Sequence, residues 1–340
     1  MYIKKIDFER NTNKEFLHIF DVRTSDEFKE DHIPSSKNLQ VLTNKQREEV
    51  GRIYAKDVFK ARKIGAQFVT ENISQILKKL SLNKKDKILL YCWRGGLRSQ
   101  SLYIVLKSIG YDVTILERGY KSYRKYINNF FKNEIQKYDF NILSGLTGTG
   151  KTFFLDKLSN FFHVLNIETL AGHKGSILGD LPNISQPKQK MFESNLWYNL
   201  TKYENNKKIW VESESHRIGK LFLPANLFSK MKDGDVFRIE VPLENRINFI
   251  LNDYKYLINN KTVIENALKI FEKFISKKDL EELKTFFREK KFRYFVKGLL
   301  EKHYDLVYVK RNIFDKNKKV IKLKSVDSNS FKKLLKEIKA

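Results

Sequence analysis

The only cysteine of this 340-residue chain, Cys92, lies where a short apolar run meets a glycine-rich turn. Residues 88–91 predict a buried strand, and the apolar spacing after Gly96 predicts a helix. In such a strand–turn–helix unit, the backbone N–H groups of the turn and the positive end of the helix point at one spot. A thiol at that spot, beside Arg94 and Arg98, is expected to be largely thiolate near neutral pH. The pattern therefore predicts Cys92 as a nucleophile in an anion-binding loop, with Arg94 and Arg98 as its catalytic partners.

Two alternatives stay open for this loop. A lone cysteine is more often a small buried apolar residue than a nucleophile, although its tryptophan, arginine, glycine and serine neighbours favour the reactive interpretation. Cys92 to Arg98 also fits the Cys-x5-Arg loop of a cysteine-dependent phosphatase, in which the arginine binds phosphate while the thiolate attacks it. Tyr91 stands where a histidine commonly precedes that cysteine, and a phosphatase leaves the second motif of the chain unexplained.

The second motif is a complete G-x-x-x-x-G-K-[ST] pattern at residues 145–152. It follows an apolar run at residues 140–143 and precedes an amphipathic helix pattern, which is the strand–loop–helix context of a phosphate-binding loop. The loop N–H groups would cradle a di- or triphosphate, the lysine adds a positive charge, and the final threonine can hold Mg²⁺. The predicted diphosphate-binding residues are Gly145, Thr147, Gly148, Thr149, Gly150, Lys151 and Thr152, of which Thr152 is also the predicted Mg²⁺ ligand.

Two further stretches predict side chains near these phosphates. The apolar run at residues 209–211 ends in Glu212 and Glu214, which are candidates for the acidic second motif that holds a metal beside a P-loop. Glutamate, where aspartate is more usual, weakens an ATPase interpretation. A glycine-rich polar turn at residues 168–176 would lie over the phosphate site. The predicted anion or substrate contacts of that turn are His173, Lys174 and Ser176.

Alternating strand and helix patterns predict an α/β protein, with mostly parallel sheets that helices cover on both faces. A chain of this length suggests two domains, each able to bury its own core. We predict a first domain at residues 1–130 and a P-loop domain at residues 131–340, which ends in a basic helical region. The first domain has predicted strands at residues 17–22, 38–42, 88–91 and 113–116, and a predicted helical stretch at residues 45–75.

The net charge of +26, from 66 Lys and Arg against 40 Asp and Glu, favours a polyanionic partner. The alternative is a composition that is rich in Lys, Asn and Ile throughout. Residues 285–297 interleave aromatic and basic residues, as on RNA-binding surfaces where aromatic rings stack on unpaired bases. The alternative there is a helix whose rings face a core and whose charges face water. We predict RNA contact by this segment, and non-specific phosphate contacts by the lysine-rich residues 316–339.

Cysteine usage and hydropathy indicate the cellular compartment in which this protein works. One cysteine excludes an internal disulfide framework and fits a reducing environment. The first residues carry acids and form no apolar signal-peptide core, and no apolar run is long enough to cross a bilayer. We therefore expect a cytoplasmic protein with no membrane partner and no disulfide partner.

Four motifs resemble a rhodanese domain, which carries sulfur or selenium as a persulfide-type adduct on its loop cysteine. They are Asp21-Val22-Arg23, Asp26-Glu27-Phe28, His32-Ile33-Pro34 and the Cys92 loop. The run from Tyr91 to Ser99 resembles, more narrowly, the rhodanese half of bacterial tRNA 2-selenouridine synthases, a family that joins this domain to a P-loop domain. Three further stretches resemble the same family, namely residues 168–176, residues 186–193, and the strand before Glu212 with its continuation into Arg217-Ile218-Gly219. This resemblance makes Arg217 a further predicted substrate contact.

The resemblance implies a tRNA-modifying transferase that acts on the anticodon stem-loop, at a wobble uridine already carrying a 2-thio group. A geranyl group from geranyl diphosphate is first attached to the thiocarbonyl sulfur, and selenium from selenophosphate then replaces the S-geranyl group to give 2-selenouridine. We assign prenyl transfer to the P-loop domain and selenium delivery to Cys92. The implied partners are tRNA and selenophosphate synthetase. Mg²⁺ is expected at the P-loop, and no permanently bound cofactor is expected.

Proteins of other classes could carry the same two motifs. A rhodanese-type sulfurtransferase or a cysteine-dependent phosphatase could be coupled to a P-loop ATPase, and turnover of an aryl phosphate would favour the phosphatase. An ATP-dependent regulator or RNA-binding adaptor could use an inert rhodanese fold. RNA-stimulated ATP hydrolysis without any change in tRNA nucleosides would favour that last class.

Overall fold

The computed structural model describes residues 4–9, 12–203, 207–258, 260–311, 314 and 318–339. The chain divides into two compact units, of which the first comprises Met1–Glu134 and Pro187–Thr201. The second comprises Ile135–Gln186 and Lys202–Ala340. Each unit contains a five-stranded parallel sheet with accompanying helices. The predicted α/β class, with two parallel sheets and a helical C-terminal region, is confirmed.

The sheet of the first unit places the cysteine strand at its centre. Its strands are β1 Lys5–Ile6, β2 His18–Asp21, β3 Lys37–Asn38, β4 Lys87–Tyr91 and β5 Asp112–Leu116. Their order is β1-β5-β4-β2-β3. Residues 88–91 of β4 are all buried, as expected for a central parallel strand covered on both faces. The helices are α1 Thr12–Glu15, α2 Ser25–Glu30, α3 Asn44–Tyr54, α4 Val58–Lys79, α5 Leu97–Ile109 and α6 Gly119–Asn133, and a 3₁₀ turn follows at Glu134–Lys137.

Local signals fix the ends of the helices near the cysteine. Thr24 caps α2 through a capping box with Glu27, in which each side chain bonds the other residue's backbone N–H. Helix α5 begins after Gly96 and ends where Gly110 adopts a left-handed conformation with φ of 106°, which glycine adopts without steric cost. The hydrophobic residues of β4 and α5 then share one core, which includes Cys92.

One predicted strand of this unit is wrong in extent, and one predicted helical stretch is confirmed as two helices. The strand predicted at residues 38–42 is confined to Lys37–Asn38. Beyond it, the N–H groups of Leu39 and Val41 still donate to the carbonyls of Asp21 (2.8 Å) and Val22 (3.3 Å). The Asn38 side-chain amide also donates to the carbonyls of Asp21 and Arg23, both at 2.9 Å, so this pairing is irregular. The helical stretch predicted at residues 45–75 is two helices, α3 and α4. Asp57 separates them, because its side chain accepts from the Lys60 N–H and caps α4.

The sheet of the second unit places the P-loop strand at its centre. The described residues of this unit form the strands β6 Phe140–Ser144, β7 Val164–Leu165, β8 Ile209–Glu212, β9 Arg217–Ile218, β10 Leu221–Phe222, β11 Asp235–Glu240 and β12 Lys318–Lys322. Five of them form a parallel sheet in the order β12-β11-β6-β8-β7, and β9 pairs with β10 antiparallel. The carboxyl ends of β6 and β8 therefore lie side by side, which brings the P-loop next to the end of the Glu212 strand.

Helices dominate the remainder of this half of the chain. They are α7 Lys151–Leu158, α8 Ile167–Ala171, α9 Gln189–Leu200, which belongs to the first unit, α10 Ala225–Lys232, α11 Leu243–Asp253, α12 Lys255–Ile258, α13 Lys261–Phe271, α14 Lys277–Arg288, α15 Phe292–Leu299, a π-helical turn Leu300–Tyr304, α16 Asp305–Arg311 and α17 Ser328–Lys339. Among the described residues no helix combines the length and the apolar composition that crossing a membrane requires.

Helices α13, α14 and α15 build a separate apolar core. It takes in Phe295 and is contacted by Phe286 and Phe287, three of the five aromatic residues of residues 285–297. Of the other two, Phe292 is half-buried and Tyr294 has 58% of its surface exposed. The core-facing alternative for this segment therefore holds for most of its rings, because they supply the apolar face on which three short helices pack.

Candidate functional site

Cys92 directly follows β4, and the strands β5 and β2 lie on either side of β4. The cysteine is 3% exposed, and its Sγ lies 3.3 Å from the hydroxyl oxygen of Ser99 and 3.9 Å from the carbonyl oxygen of Gly96. Ser99 also lies within donating distance of that carbonyl, at 3.0 Å. Ser99 was not among the predicted site residues, although its place in the first turn of the helix after Gly96 was a usable signal. The thiol is thus at the first turn of α5 and shielded from solvent.

The start of α6 closes the cysteine loop. The backbone N–H of Tyr120 donates to the Cys92 carbonyl (2.8 Å), and that of Lys121 donates to the Trp93 carbonyl (3.1 Å). Gly119 has a positive φ of 54°, and a Cβ there would lie 2.1 Å from the Cys92 carbonyl oxygen. Only glycine permits this approach. The Cys92 loop and the first turn of α6 are therefore held together.

The two predicted catalytic arginines have different surroundings. Arg98 donates through both terminal nitrogens to the Glu27 carboxylate, at 2.6 and 3.2 Å. Burial opposes ionisation of Glu27, but the Arg98 hydrogen bonds and charge outweigh it and lower the pKa of this carboxyl. Arg94 is exposed, and the described part of the chain offers it no ion-pair partner. Anion binding at this loop is therefore open to Arg94, whereas Arg98 would first have to leave Glu27.

A buried polar network supports the loop from below. Arg23 is 1% exposed, bonds both carboxylate oxygens of Asp21, and packs its guanidinium 4.0 Å from the centre of the Tyr120 ring. Asp31 accepts from the hydroxyls of Tyr120 (2.8 Å) and Ser194 (2.7 Å). Burial raises the pKa of Asp31, although these hydrogen bonds oppose the shift. The hydrogen bonds of this network fix the position of Tyr120. Because the Tyr120 N–H bonds the Cys92 carbonyl, the network also fixes the position of the cysteine loop.

The P-loop of the second unit wraps the N-terminus of α7. Lys151 Nζ donates to the Gly145 carbonyl (3.0 Å), so the lysine closes the loop on itself. Gly150 has a φ of 76°, and a Cβ there would lie 2.3 Å from Val326. The hydroxyl of Thr149 donates to the Leu146 carbonyl (2.8 Å) and is buried within the loop. Thr149 therefore shapes the loop, and Lys151 and the helix N-terminus are the groups placed to meet a phosphate.

Three carboxylates converge beside this loop. Thr152 donates to Glu168 Oε2 (2.5 Å), and the Glu168 N–H donates to Glu212 Oε1 (2.7 Å). Burial and the neighbouring Glu168 charge raise the pKa of Glu212 to about 8. The same two causes raise the pKa of Glu214, against the attraction of Lys151. Glu168 was missed as a site residue, because it stands 44 positions before Glu212 and only the fold brings them together.

The donor set at this place fits Mg²⁺. Among the described residues, Thr152, Glu168 and Glu214 line the cavity around the P-loop, so a hydroxyl and two carboxylates border the space in which a phosphate would lie. Glu212 Oε2 is buried and has no hydrogen-bond partner in the described part of the chain, but Glu212 lies outside that lining. Within the same residues, no three His, Cys, Asp or Glu side chains are arranged to hold a metal by themselves. Mg²⁺ usually binds through one or two carboxylates together with substrate phosphates. Thr152, Glu168 and Glu214 would hold the ion, which would neutralise charge on a bound diphosphate.

The other predicted anion contacts divide into two groups. His173 faces inward, because its Nδ1 accepts the Gly175 N–H (3.0 Å) and burial lowers its pKa. Lys174 is paired with Asp253 (2.7 Å) and lies over the Tyr254 ring. Ser176 and Arg217 line the cavity that also contains the P-loop. His173 therefore orders the turn, while Ser176 and Arg217 stay available to a ligand.

That cavity has a volume of about 1030 Å³ and is lined by two chemically different sets of residues. The polar set includes Lys151, Thr152, Glu168 and Glu214. The other set is mostly aromatic and aliphatic. It comprises Phe228, Phe249, Ile250, Tyr254, Ile270, Phe274, His303, Tyr304, Val307, Tyr308 and Phe314. Gly145, Thr149, His173 and Glu212 lie outside the lining, although the sequence predicted contacts for all four.

A smaller apolar cavity of about 70 Å³, which we call the apolar annex, adjoins the larger one. Helices α13, α14 and α15 supply part of its walls, including Phe287, Phe295 and Val296. An apolar cavity of roughly 150 Å³ can admit benzene, so the annex has room for a few carbon atoms. The two cavities are neighbours, because both are lined by Thr147, Ser176, Ile250, Tyr254 and Tyr304.

The raised pKa of Glu212 predicts a specific pH dependence of stability. Its carboxyl titrates near 4.5 in an unfolded chain and at about 8 in the folded protein, so unfolding releases a proton between these pH values. The free energy of unfolding therefore falls as pH rises from about 4.5 to 8. We expect Glu212→Gln to remove this dependence and, without Mg²⁺, to gain about 2 to 4 kcal/mol relative to the unaltered protein between pH 5 and pH 8.

Thermal unfolding in EDTA at several pH values measures this difference. Glu48→Gln, an exposed glutamate on α3, is the matched control and should leave the pH dependence unchanged. Parallel pH profiles of the Glu212→Gln and unaltered proteins would show that this carboxyl is ionised in the folded state.

Comparisons with known proteins agree with this architecture. A rhodanese-like domain model matches residues 6–126, and a tRNA 2-selenouridine synthase AAA domain model matches residues 138–285. Relatives named tRNA 2-selenouridine synthase include one from Nitrosomonas eutropha, 33% identical over 69% of this chain and 62% of the relative. One from Shewanella sediminis is 35% identical over 71% and 66%, respectively. One from Psychromonas ingrahamii is 32% identical over 76% and 71%.

The chain thus spans less than two thirds of the length of the first two of these relatives. The match to the third covers more than two thirds of that relative, and the two domain models follow one another in the order that the motifs predicted. The chain therefore belongs to the tRNA 2-selenouridine synthase family.

Proposed function

We propose that this chain is a transferase that converts wobble 2-thiouridine of tRNA to 2-selenouridine through an S-geranyl-2-thiouridine intermediate. Geranyl diphosphate and selenophosphate are its co-substrates. The observation that carries the proposal is a cavity lined both by the phosphate-binding loop and by many aromatic side chains, with an apolar annex beside it. A nucleoside triphosphate has no hydrocarbon tail to place in the annex, whereas a prenyl diphosphate has both parts.

In the first step, the thiocarbonyl sulfur attacks C1 of the geranyl group. The C1–O bond breaks, and its electron pair leaves with the diphosphate. Lys151 would move from the Gly145 carbonyl to the diphosphate, and the backbone N–H groups of the loop would stabilise the same departing charge. Alkylation turns the sulfur into a good leaving group, which makes the second step possible.

In the second step, the Cys92 thiolate attacks the phosphorus of selenophosphate and the P–Se bond breaks, which releases hydrogen selenide without a change of oxidation state. The selenide attacks C2 of the modified base, the geranyl thiolate leaves, and water hydrolyses the phosphoryl group from Cys92. We assign this delivery of selenium to the Cys92 loop, where Arg94 is the loop arginine without a protein partner in the described residues. The burial of Cys92 next to Ser99 would keep the released selenide away from bulk water. The pairing of Arg98 with Glu27 argues against the phosphatase alternative, because a phosphatase arginine has to face the phosphate.

Nucleoside mass spectrometry tests the proposal. The protein is incubated with a 2-thiouridine-containing anticodon stem-loop and Mg²⁺, with geranyl diphosphate alone or with selenophosphate added. We expect S-geranyl-2-thiouridine in the first reaction and 2-selenouridine in the second. Unchanged 2-thiouridine in both, from folded protein, would contradict the proposal. RNA-stimulated ATP hydrolysis with unchanged nucleosides would instead favour the ATP-dependent adaptor.

The apolar annex predicts that the geranyl tail adds to affinity. Burial of a few carbon atoms is worth about 0.8 kcal/mol each, so geranyl diphosphate should bind at least about tenfold more tightly than inorganic pyrophosphate. Val296 is half-buried and lines the annex. We expect Val296→Phe to fill the annex and abolish this preference without weakening pyrophosphate binding. Isothermal titration calorimetry with both ligands measures the ratio.

Val263→Phe is the matched control for this substitution. Val263 is also half-buried and packs against the same helical core, but it lines neither cavity. Its variant should keep the preference for geranyl diphosphate. If Val296→Phe keeps the preference for geranyl diphosphate, or if both variants lose it equally, the geranyl tail does not bind in the annex.

A further inference from the structure

A broad groove of about 1270 Å³ lies on the first unit beside the Cys92 loop. We call it the Trp93 groove and define it by Asp7, Phe8, Trp93, Arg94, Arg118, Tyr120, Lys121, Ser122, Arg124, Lys125, Tyr126, Asn128, Asn129 and Lys190. Six of these residues are cationic, and Asp7 is the one acid among them. Its electrostatic potential is therefore positive at the place where the cysteine loop reaches the surface.

The cations of the groove differ in their availability. Arg124 is paired with Glu193, and Lys190 is paired with Glu30. The side chains of Arg94, Arg118, Lys121 and Lys125 are exposed and meet no acidic partner in the part of the chain that the structure describes. Lys121 and Lys125 are four positions apart on α6, so they project from one face of the helix. Four unpaired cations on one concave surface favour a ligand with several negative charges.

An exposed aromatic ring stands among these cations. Trp93 is 40% exposed, and its ring lies 5.2 Å from that of Tyr120 with an interplanar angle of 30°. Tyr120 is buried and fixed by its hydrogen bond to Asp31, so it provides a rigid support for the indole. A supported indole beside lysines and arginines is the arrangement on which unpaired nucleobases stack while their phosphates meet the cations.

The groove is rigidly joined to Cys92. The N–H groups of Tyr120 and Lys121 bond the carbonyls of Cys92 and Trp93, and the glycine at position 119 allows the close approach. A ligand in the groove therefore lies against the loop that carries the thiol.

From these observations we infer that the Trp93 groove binds a single-stranded RNA loop, with a base stacked on Trp93 and phosphates on Arg94, Arg118, Lys121 and Lys125. This inference rests on the proposed tRNA substrate and adds the surface that receives it. It also differs from the sequence-based expectation, which placed RNA contact at residues 285–297, where most aromatic rings face a core.

Fluorescence anisotropy with a labelled anticodon stem-loop RNA tests the location. The groove variant is Lys121→Glu with Lys125→Glu, and the matched control is Arg288→Glu with Lys290→Glu, two exposed cations of the segment 285–297. We expect the groove variant to bind at least about 30-fold more weakly. The slope of log affinity against log salt should also decrease by about 1.4, which corresponds to two phosphate contacts on a single strand. The control should stay within about threefold of the unaltered protein.

A second variant separates stacking from charge. Trp93→Ala should weaken binding about tenfold without changing the salt slope, and a fully paired RNA duplex should be insensitive to it. Equal losses in the groove and control variants, or a loss confined to the control, would overturn the inference. Polyglutamate that binds with the same affinity and the same sensitivity to the variants would assign the groove to an acidic protein and also overturn it.

The outcomes separate this inference from the proposed function. Stem-loop RNA that is modified by the unaltered protein, and equally by the groove variant at low RNA concentration, would contradict the groove and leave the enzyme activity standing. Absence of any RNA binding or modification by the unaltered protein would contradict both. Circular dichroism confirms that each variant is folded, which is expected because Lys121 and Lys125 are exposed.

Discussion

Cys92→Ser should stop selenation while leaving geranylation intact. We expect the variant to convert 2-thiouridine RNA to the S-geranyl product at the unaltered rate. With pre-geranylated RNA and selenophosphate, its rate should fall at least about 1000-fold, because a serine hydroxyl does not ionise near neutral pH and is a poor nucleophile towards selenophosphate. Serine can still donate to the Gly96 carbonyl, which lies 3.9 Å from Sγ, so the loop should keep its shape.

Nucleoside mass spectrometry of the two half-reactions, run separately, measures this split. Cys92→Ala should give the same result, and Ser99→Ala should slow selenation only modestly, since its hydroxyl contacts the sulfur without replacing it. Full selenation by both cysteine variants would show that Cys92, which is buried within the core of its unit, is a packing residue. Lost geranylation with retained selenation would reverse the division of labour.

The second large effect is expected at the P-loop. Lys151→Met should lower geranyl transfer at least about 1000-fold and weaken pyrophosphate binding, because it removes the positive charge beside the departing diphosphate. The loss should be severe since Lys151 is also the cation that offsets the charge of Glu214. Selenation of pre-geranylated RNA by Cys92 should be unaffected.

Lys157→Met provides the matched control, as this lysine is on the same helix α7, is equally half-buried and lies outside the cavity. Rates of both half-reactions and calorimetric titration with pyrophosphate complete the measurement. Geranyl transfer that survives in Lys151→Met, or falls equally in Lys157→Met, would mean that the P-loop binds a different ligand.

These experiments rest on features that the sequence revealed to different degrees. The P-loop was identified from residues 145–152 because its shape depends on glycines at fixed offsets and on a helix that starts at once. The place of Cys92 at a strand-to-helix turn followed from hydrophobic periodicity on either side. Both are short-range properties, in which backbone conformation is set by residues a few positions away.

The sequence did not reveal which distant side chains bond or pack against one another. Arg98 looked like an anion ligand by its spacing from Cys92, yet it bonds Glu27, which stands 71 positions earlier. Glu168 is a site residue because it bonds Thr152 and Glu212, which are distant in sequence. Most aromatic rings of residues 285–297 pack against a core formed by three helices. Local sequence sets the form of each element, so alternating strand and helix patterns indicated the α/β class and the resemblance of several motifs indicated the family. The side chains that meet across distant elements depend on strand order and helix packing, so only the tertiary structure decided the carboxylate cluster, the apolar annex and the Trp93 groove.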